Sequence, residues 1–111
     1  MEQNKIATLI NLLVVRSQAG KLLWEKTIDE GVFQTTLGGY TVRLSPRHRR
    51  GVFGDERYVL IEINNAEGEL IEEVSDTDVN SNDLWSLYEI ARRQAMGVDA
   101  ALDTIISELE R

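Results

Sequence analysis

Residues 57–74 read RYVLIEINNAEGELIEEV. Val59, Ile61 and Ile63 alternate there with Tyr58, Leu60 and Glu62, the period of two that sends successive side chains to opposite faces of a strand. Asn64, Asn65 and Gly68 follow, residue types that tolerate positive φ, and residues 70–74 return with a more polar alternation. The stretch predicts two antiparallel strands joined by a short turn, around which the neighbouring segments can be arranged.

Upstream, Gly38-Gly39 is a second hairpin signal, because both residues can take the positive φ of a type I′ turn. It separates one alternation in residues 32–37, with Phe33, Thr35 and Leu37 on one side, from another in Tyr40, Val42 and Leu44. Pro46, the only proline, is expected to end that strand and leave residues 45–56, with Gly51 and Gly54, as a loop. Residues 21–28 alternate around Leu22, Trp24 and Lys26 and suit a short first strand. Before them, Ile6, Leu9, Ile10 and Leu13 follow helical spacing, so residues 4–18 predict an amphipathic helix closed by Gly20.

Downstream, residues 75–83 are polar apart from Val79 and lead to a helix whose N-cap is expected at Ser81 or Asn82. Leu84, Leu87, Tyr88, Ala91 and Ala95 form its stripe, and Arg92 and Arg93 lie near its C-terminus, where cations suit the dipole. Gly97 should stop it, and Asp99 should cap a last helix with the stripe Ala101, Leu102, Ile105, Ile106 and Leu109. The expectation is one α+β domain over residues 1–111: an N-terminal helix, an antiparallel meander of three to five strands, and a C-terminal helical hairpin packed on the sheet.

With 111 residues, the chain is long enough to bury a core without staples, and it has no cysteine with which to make one. Lack of cysteine excludes disulfides and thiolate chemistry and fits a reducing, cytoplasmic setting. The apolar run at residues 9–15 is too short to span a bilayer, and only one lysine and no small-residue cleavage site accompany it, so neither membrane insertion nor a signal peptide is expected. Nineteen acidic residues against twelve Lys and Arg give a charge of −7, which disfavours direct nucleic-acid binding because phosphate affinity comes from positive charge.

Chemical motifs are scarce. Asp76, Asp78, Asn80 and Asn82 alternate like the start of a calcium loop, but Ser81 stands where that loop needs glycine and Leu87 where it needs a bidentate glutamate. Turn and capping chemistry explains the stretch better. His48 is the only histidine, too few for the usual zinc or iron site, and its arginine neighbours oppose the imidazolium a catalytic triad must form. Gly38-Gly39 sits between two strands rather than before a helix, so it makes no phosphate loop. No catalytic residue, cofactor or metal is expected.

Against the acidic background, Arg43, Arg47, His48, Arg49, Arg50 and Arg57 crowd into fifteen residues. One reading is a solvated loop balanced by Asp55 and Glu56; the other is a docking loop, since guanidinium forks match carboxylates and phosphates. Residues 62–83 then carry eight carboxylates and no Lys or Arg, so the hairpin is expected to hold opposite charges apart. Trp24 and Trp85 are expected in the core.

The order Leu23-Trp24-Glu25-Lys26-Thr27, Phe33, Gly39-Tyr40-Thr41-Val42, Tyr58-Val59-Leu60-Ile61 and residues 84–93 resembles that of small uncharacterised bacterial proteins, a likeness that implies no activity or ligand. The leading expectation is a non-enzymatic protein-interaction or self-association module, with a protein partner or a homodimer engaged through the arginine cluster or a sheet edge. The alternative is an acidic inhibitor or nucleic-acid mimic that places residues 62–83 in a partner's basic groove.

Overall fold

The computed structural model describes residues 2–111, with side chains from residue 5 onward. The helical stripe at the N-terminus forms α1 (Glu2–Gln18), with Ile10 and Leu13 buried and Ile6 and Leu9 packed at the margin. Its end is a Schellman turn: the Lys21 amide donates to the Arg16 carbonyl and the Gly20 amide to the Ser17 carbonyl, with Gly20 at φ +70°. The chain then reverses towards Trp24, whose indole N–H donates to Ser17 Oγ at 2.9 Å and whose backbone N–H donates to Gln94 Oε1 at 3.0 Å. Those two bonds tie the end of α1 to the last turn of the helix that follows the sheet, and Trp24 is fully buried between them.

Five strands follow in chain order, β1 (Glu25–Lys26), β2 (Phe33–Leu37), β3 (Tyr40–Gly51), β4 (Gly54–Asn64) and β5 (Leu70–Val74), each antiparallel to the next. The β4–β5 hairpin is the one expected from residues 57–74, and its turn is held by the Asn65 side chain accepting from the Glu67 and Glu69 amides. Gly38 and Gly39 both take positive φ, 58° and 84°, as a type I′ turn between β2 and β3 requires. The first strand is much shorter than residues 21–28 suggested. Thr27 and Asp29 turn the chain instead, through Thr27 Oγ1 and the Thr27 amide to the Val32 carbonyl, and Ile28 is left fully exposed.

The larger correction concerns residues 45–56. They are not a loop: β3 passes through Pro46 and pairs with β4 over eleven residue pairs, from Thr41↔Asn64 to Gly51↔Gly54. Pro46 is tolerated because β2 reaches only Leu44, so from Ser45 onward that flank of β3 has no strand on it and a missing N–H breaks no ladder bond there. On the other flank, β5 reaches back only as far as Ile61. Residues 45–51 and 54–60 thus leave the sheet as a two-stranded arm, closed by Val52 and Phe53.

α2 (Ser81–Ala95) lies across the sheet and buries Leu84, Leu87, Tyr88 and Ala91 against Phe33, Val42, Leu44, Val59, Ile61 and Val74. Its N-cap is Asn80, whose side chain accepts from the Asn82 amide at 2.7 Å, one or two residues before the positions expected from sequence. Tyr88 reaches past the strands to donate to the Gly31 carbonyl at 2.5 Å, and burial raises its phenol pKa. The C-terminal helical pair packs on the sheet through α2. Gly97, at φ 63°, stops α2 and precedes α3 (Val98–Leu109); Asp99 falls in the first turn of α3 rather than at its cap and pairs with Arg93.

The arm and α3 make the molecule longer than a compact chain of its size. Its radius of gyration is 15.7 Å, against about 13 Å expected for this length. Among the described residues no helix is long and apolar enough to cross a membrane.

Leu44 lies at the centre of the core with no exposed surface, so Leu44→Ala is expected to lower unfolding free energy by about 2–5 kcal/mol in urea titration. Ser17→Ala, which strands the buried Trp24 indole N–H, is expected to cost about 1–3 kcal/mol in the same measurement.

Candidate interaction surface

An unbroken β3–β4 ladder gives every arm residue a fixed side, because alternate residues of a strand face opposite ways. Val42, Leu44, Val59 and Ile61 define the side covered by the helices. Counting outward in twos puts His48 and Arg50 on that side, with Arg57 directly across from His48. Arg43, Arg47 and Arg49 alternate onto the opposite, open side, across from Glu62, Tyr58 and Glu56. The six residues singled out by sequence are therefore not one cluster. They form two strips of three, back to back on one rigid hairpin.

The open-side strip is already occupied. Arg49 donates both terminal nitrogens to Asp76, at 2.8 and 2.5 Å, donates Nε to Glu56 at 3.3 Å, and lies 4.7 Å from the centre of the Tyr58 ring. Arg47 pairs with Glu62 at 3.3 Å and Arg43 with Asp29 at 3.1 Å. Arg43 Nε is buried without a hydrogen-bond partner among the described residues, so its guanidinium is fixed more by packing than by a full set of acceptors. Arg43 and Arg47 also line an open hollow of about 320 Å³ with Asp29, Glu30 and Glu62, where each arginine already faces a carboxylate.

This pattern corrects the expected separation of charge. The acidic stretch of residues 62–83 does not stand apart from the arginines, because Asp76 and Glu62 are bound by Arg49 and Arg47. Asp76 spends its carboxylate on the arm, while Asp78 accepts from the Ser75 amide at 3.0 Å and Asn80 caps α2, so the polar run before α2 is built of turns and a cap.

The helix-side strip is different. Neither Arg50 nor Arg57 belongs to an ion pair among the described residues. Arg57 lies 5.2 Å from the centre of the Trp85 ring, which itself meets Tyr88 edge-on at 5.8 Å. Trp24 is core as expected, whereas Trp85 is half-buried at the point where α2 gives out and the arm continues.

Sequence reasoning passed over the tip itself. Val52 and Phe53 are 89% and 98% exposed. Neither has positive φ, so the turn is not type I′; the left-handed step falls on Gly54 at φ +110°. Gly51 lies under the Glu56 side chain, which would have to swing aside for a Cβ there, since the two would come within 2.3 Å. The missed signal was an apolar pair between two glycines in a run of charge. A second apolar surface lies on α3, where Leu102, Ile105, Ile106 and Leu109 are 46–79% exposed and no residue of the helix is buried.

Perturbed ionisation on this surface follows ion pairing. The hydrogen bonds from Arg49 hold the Asp76 carboxyl below the usual carboxylate range, and Arg92 does the same to Glu89. Among the described residues no three His, Cys, Asp or Glu side chains approach closely enough to hold a metal ion. Compared with protein-family models, curated proteins and solved structures, the chain matches none.

A carboxyl whose pKa is lower folded than unfolded stabilises the fold above its unfolded pKa, and that contribution disappears as pH falls through the folded value. Asp76→Asn is therefore expected to be less stable than wild type at neutral pH. The gap should narrow as pH drops below about 4 and close once Asp76 is protonated, read by urea midpoints across pH. A gap that stays constant in acid would remove Asp76 as the titrating partner of Arg49.

Proposed function

We propose that this chain is a non-catalytic interaction module of the cytoplasm whose working element is the β3–β4 arm, and that it engages a protein partner or a second copy of itself. The observation that carries this reading is the exposure of Val52 and Phe53 at the end of a strand pair that is otherwise fully laddered. Aromatic side chains presented without conformational loss are the residues that anchor protein interfaces. A floppy loop would have to be ordered on binding, at about 0.5–1.5 kcal/mol for each immobilised side chain, whereas the arm is ordered beforehand.

The open-side arginines support the reading indirectly. Their pairs with Asp29, Glu62, Glu56 and Asp76 brace the root and shaft of the arm from three segments: the turn before β2, β4 itself and the stretch after β5. Each exposed pair contributes little alone, but the bidentate contact with Asp76 is of the geometry that does contribute. Because those arginines neutralise Glu62 and Asp76, an acidic-mimic role would rest on Glu67, Glu69, Glu72, Glu73, Asp78 and Asp83, and nothing in the geometry favours it over the arm. The absence of cysteine suits a reducing compartment.

Replacing Phe53 with photo-reactive benzoylphenylalanine in the producing cell should give covalent adducts on irradiation, to another protein or to the chain itself. Phe53→Asp should weaken binding of whichever partner is captured by at least about tenfold while leaving the far-UV circular dichroism and urea midpoint unchanged. Irradiation that yields no adduct of any kind would end the proposal.

A further inference from the structure

We infer that the partner of the arm is a second copy of this chain, with α3 of one copy lying along the helix-side strip of the other's arm. The inference rests on the reading of the arm as an interaction element and adds the identity and chemistry of what it binds. Two surfaces stand out among the exposed apolar ones of the described residues: the tip, beside the helix-side cations, and the stripe of α3, a helix with no buried residue. Their charges are opposite. α3 and the residue pair after it carry Asp99, Asp103, Glu108 and Glu110 against Arg111 alone, and Arg111 is already paired with Glu108. The helix-side strip offers Arg50 and Arg57, free of ion pairs among the described residues, with His48 directly across from Arg57 and a single carboxylate, Asp55, across from Arg50.

Charge also disfavours the two simpler pairings. An α3–α3 pair would bring the acidic residues of α3 together with their own copies, and an arm–arm pair would bring together two strips in each of which Arg50 and Arg57 outnumber the one carboxylate, Asp55. Only the mixed contact puts an acidic flank beside a basic strip and an apolar stripe beside an apolar tip. Lengths agree as well: twelve helical residues span about 18 Å, and the seven β3 residues of the arm, 45–51, span roughly 23 Å.

The helix itself calls for a partner. A helix of about twelve residues is marginal in water on propensity alone, and α3 buries none of its side chains. The Arg93–Asp99 pair at 2.5 Å fixes where it starts but contributes little stability at such exposure. In a mixed contact Phe53 and Val52 meet the stripe of Leu102, Ile105, Ile106 and Leu109, and Arg50 and Arg57 face Asp103 and Glu110, which share one flank of the helix and belong to no ion pair among the described residues. A two-fold axis repeats the contact, each copy giving one arm and one helix, so the pair closes instead of growing into a fibre.

Light scattering on a sizing column should give twice the 12.6 kDa chain mass for wild type, and Phe53→Asp and Ile105→Asp should each raise the dissociation constant at least about tenfold. Both positions are exposed, so circular dichroism should be unchanged. The deciding step is to mix the two variants. Reciprocal arm–helix contact predicts that the mixture regains a dimer, because the Ile105→Asp chain still has a good arm and the Phe53→Asp chain a good helix; an α3–α3 or arm–arm dimer regains nothing. Arg50→Glu should weaken the pair, and Asp103→Arg in the opposing chain should restore it. Wild type that stays monomeric at high micromolar concentration, or a mixture that stays monomeric, overturns the inference. In that case an adduct from benzoylphenylalanine at residue 53 to a different protein would still uphold the arm as an interaction element, so the two failures are distinguishable.

Discussion

Register continuity in the β3–β4 ladder is the constraint from which the rest of the surface follows. One residue of slip would send every side chain of the arm to the other face. Arg49 would lose Asp76, Arg57 would leave Trp85, and the core residues Val59 and Ile61 would turn outward. The ladder keeps its register past Pro46 because its inner half is pinned by burial: Val42, Leu44, Val59 and Ile61 lie in the core beneath the helices, and a one-residue slip of either strand would turn its pair outward. Packing at one end of the hairpin thus determines which cations face which way at the other, well beyond the reach of the core.

Much of the architecture was legible because burial enforces periodicity. Residues 57–74 gave the β4–β5 hairpin, Gly38-Gly39 gave the turn into β3, and the stripes of α1 and α2 match the side chains that are buried. Legibility failed where burial stops. From Arg47 to Arg57 no apolar residue alternates, because the arm has no core to face, and a strand without a buried side looks in sequence like a loop with a proline at its start. The six candidate residues were found by composition, but their division into two strips is a matter of parity that could be counted only once the segment was known to be a strand. The tip was missed for the opposite reason: Val52 and Phe53 are ordinary residues made conspicuous by where the ladder delivers them.

The helical side shows how little of the apolar surface α3 was needed for. α1 and α2, with Trp24 wedged between Ser17 and Gln94, already fill the space above the short sheet. α3 adds no buried side chain to that core and follows α2 after the left-handed turn at Gly97. Sequence shows that α3 has an apolar face but not that this face stays out of the core, since that depends on the summed volume of two other helices and the area of the sheet.

The shaft of the arm has two bare strand edges, one left by β2 at Leu44 and one left by β5 at Ile61. Such edges are templates on which stray extended chains can add, with amyloid as the extreme outcome. Here the β3 edge begins with the only proline in the chain, which offers no amide to an incoming strand, and both edges carry charged side chains at most positions from Arg47 to Arg57. The residues that make this segment hard to recognise as a strand are the same ones that keep it from recruiting another, so a long unprotected ribbon can remain in solution as a discrete, selective limb.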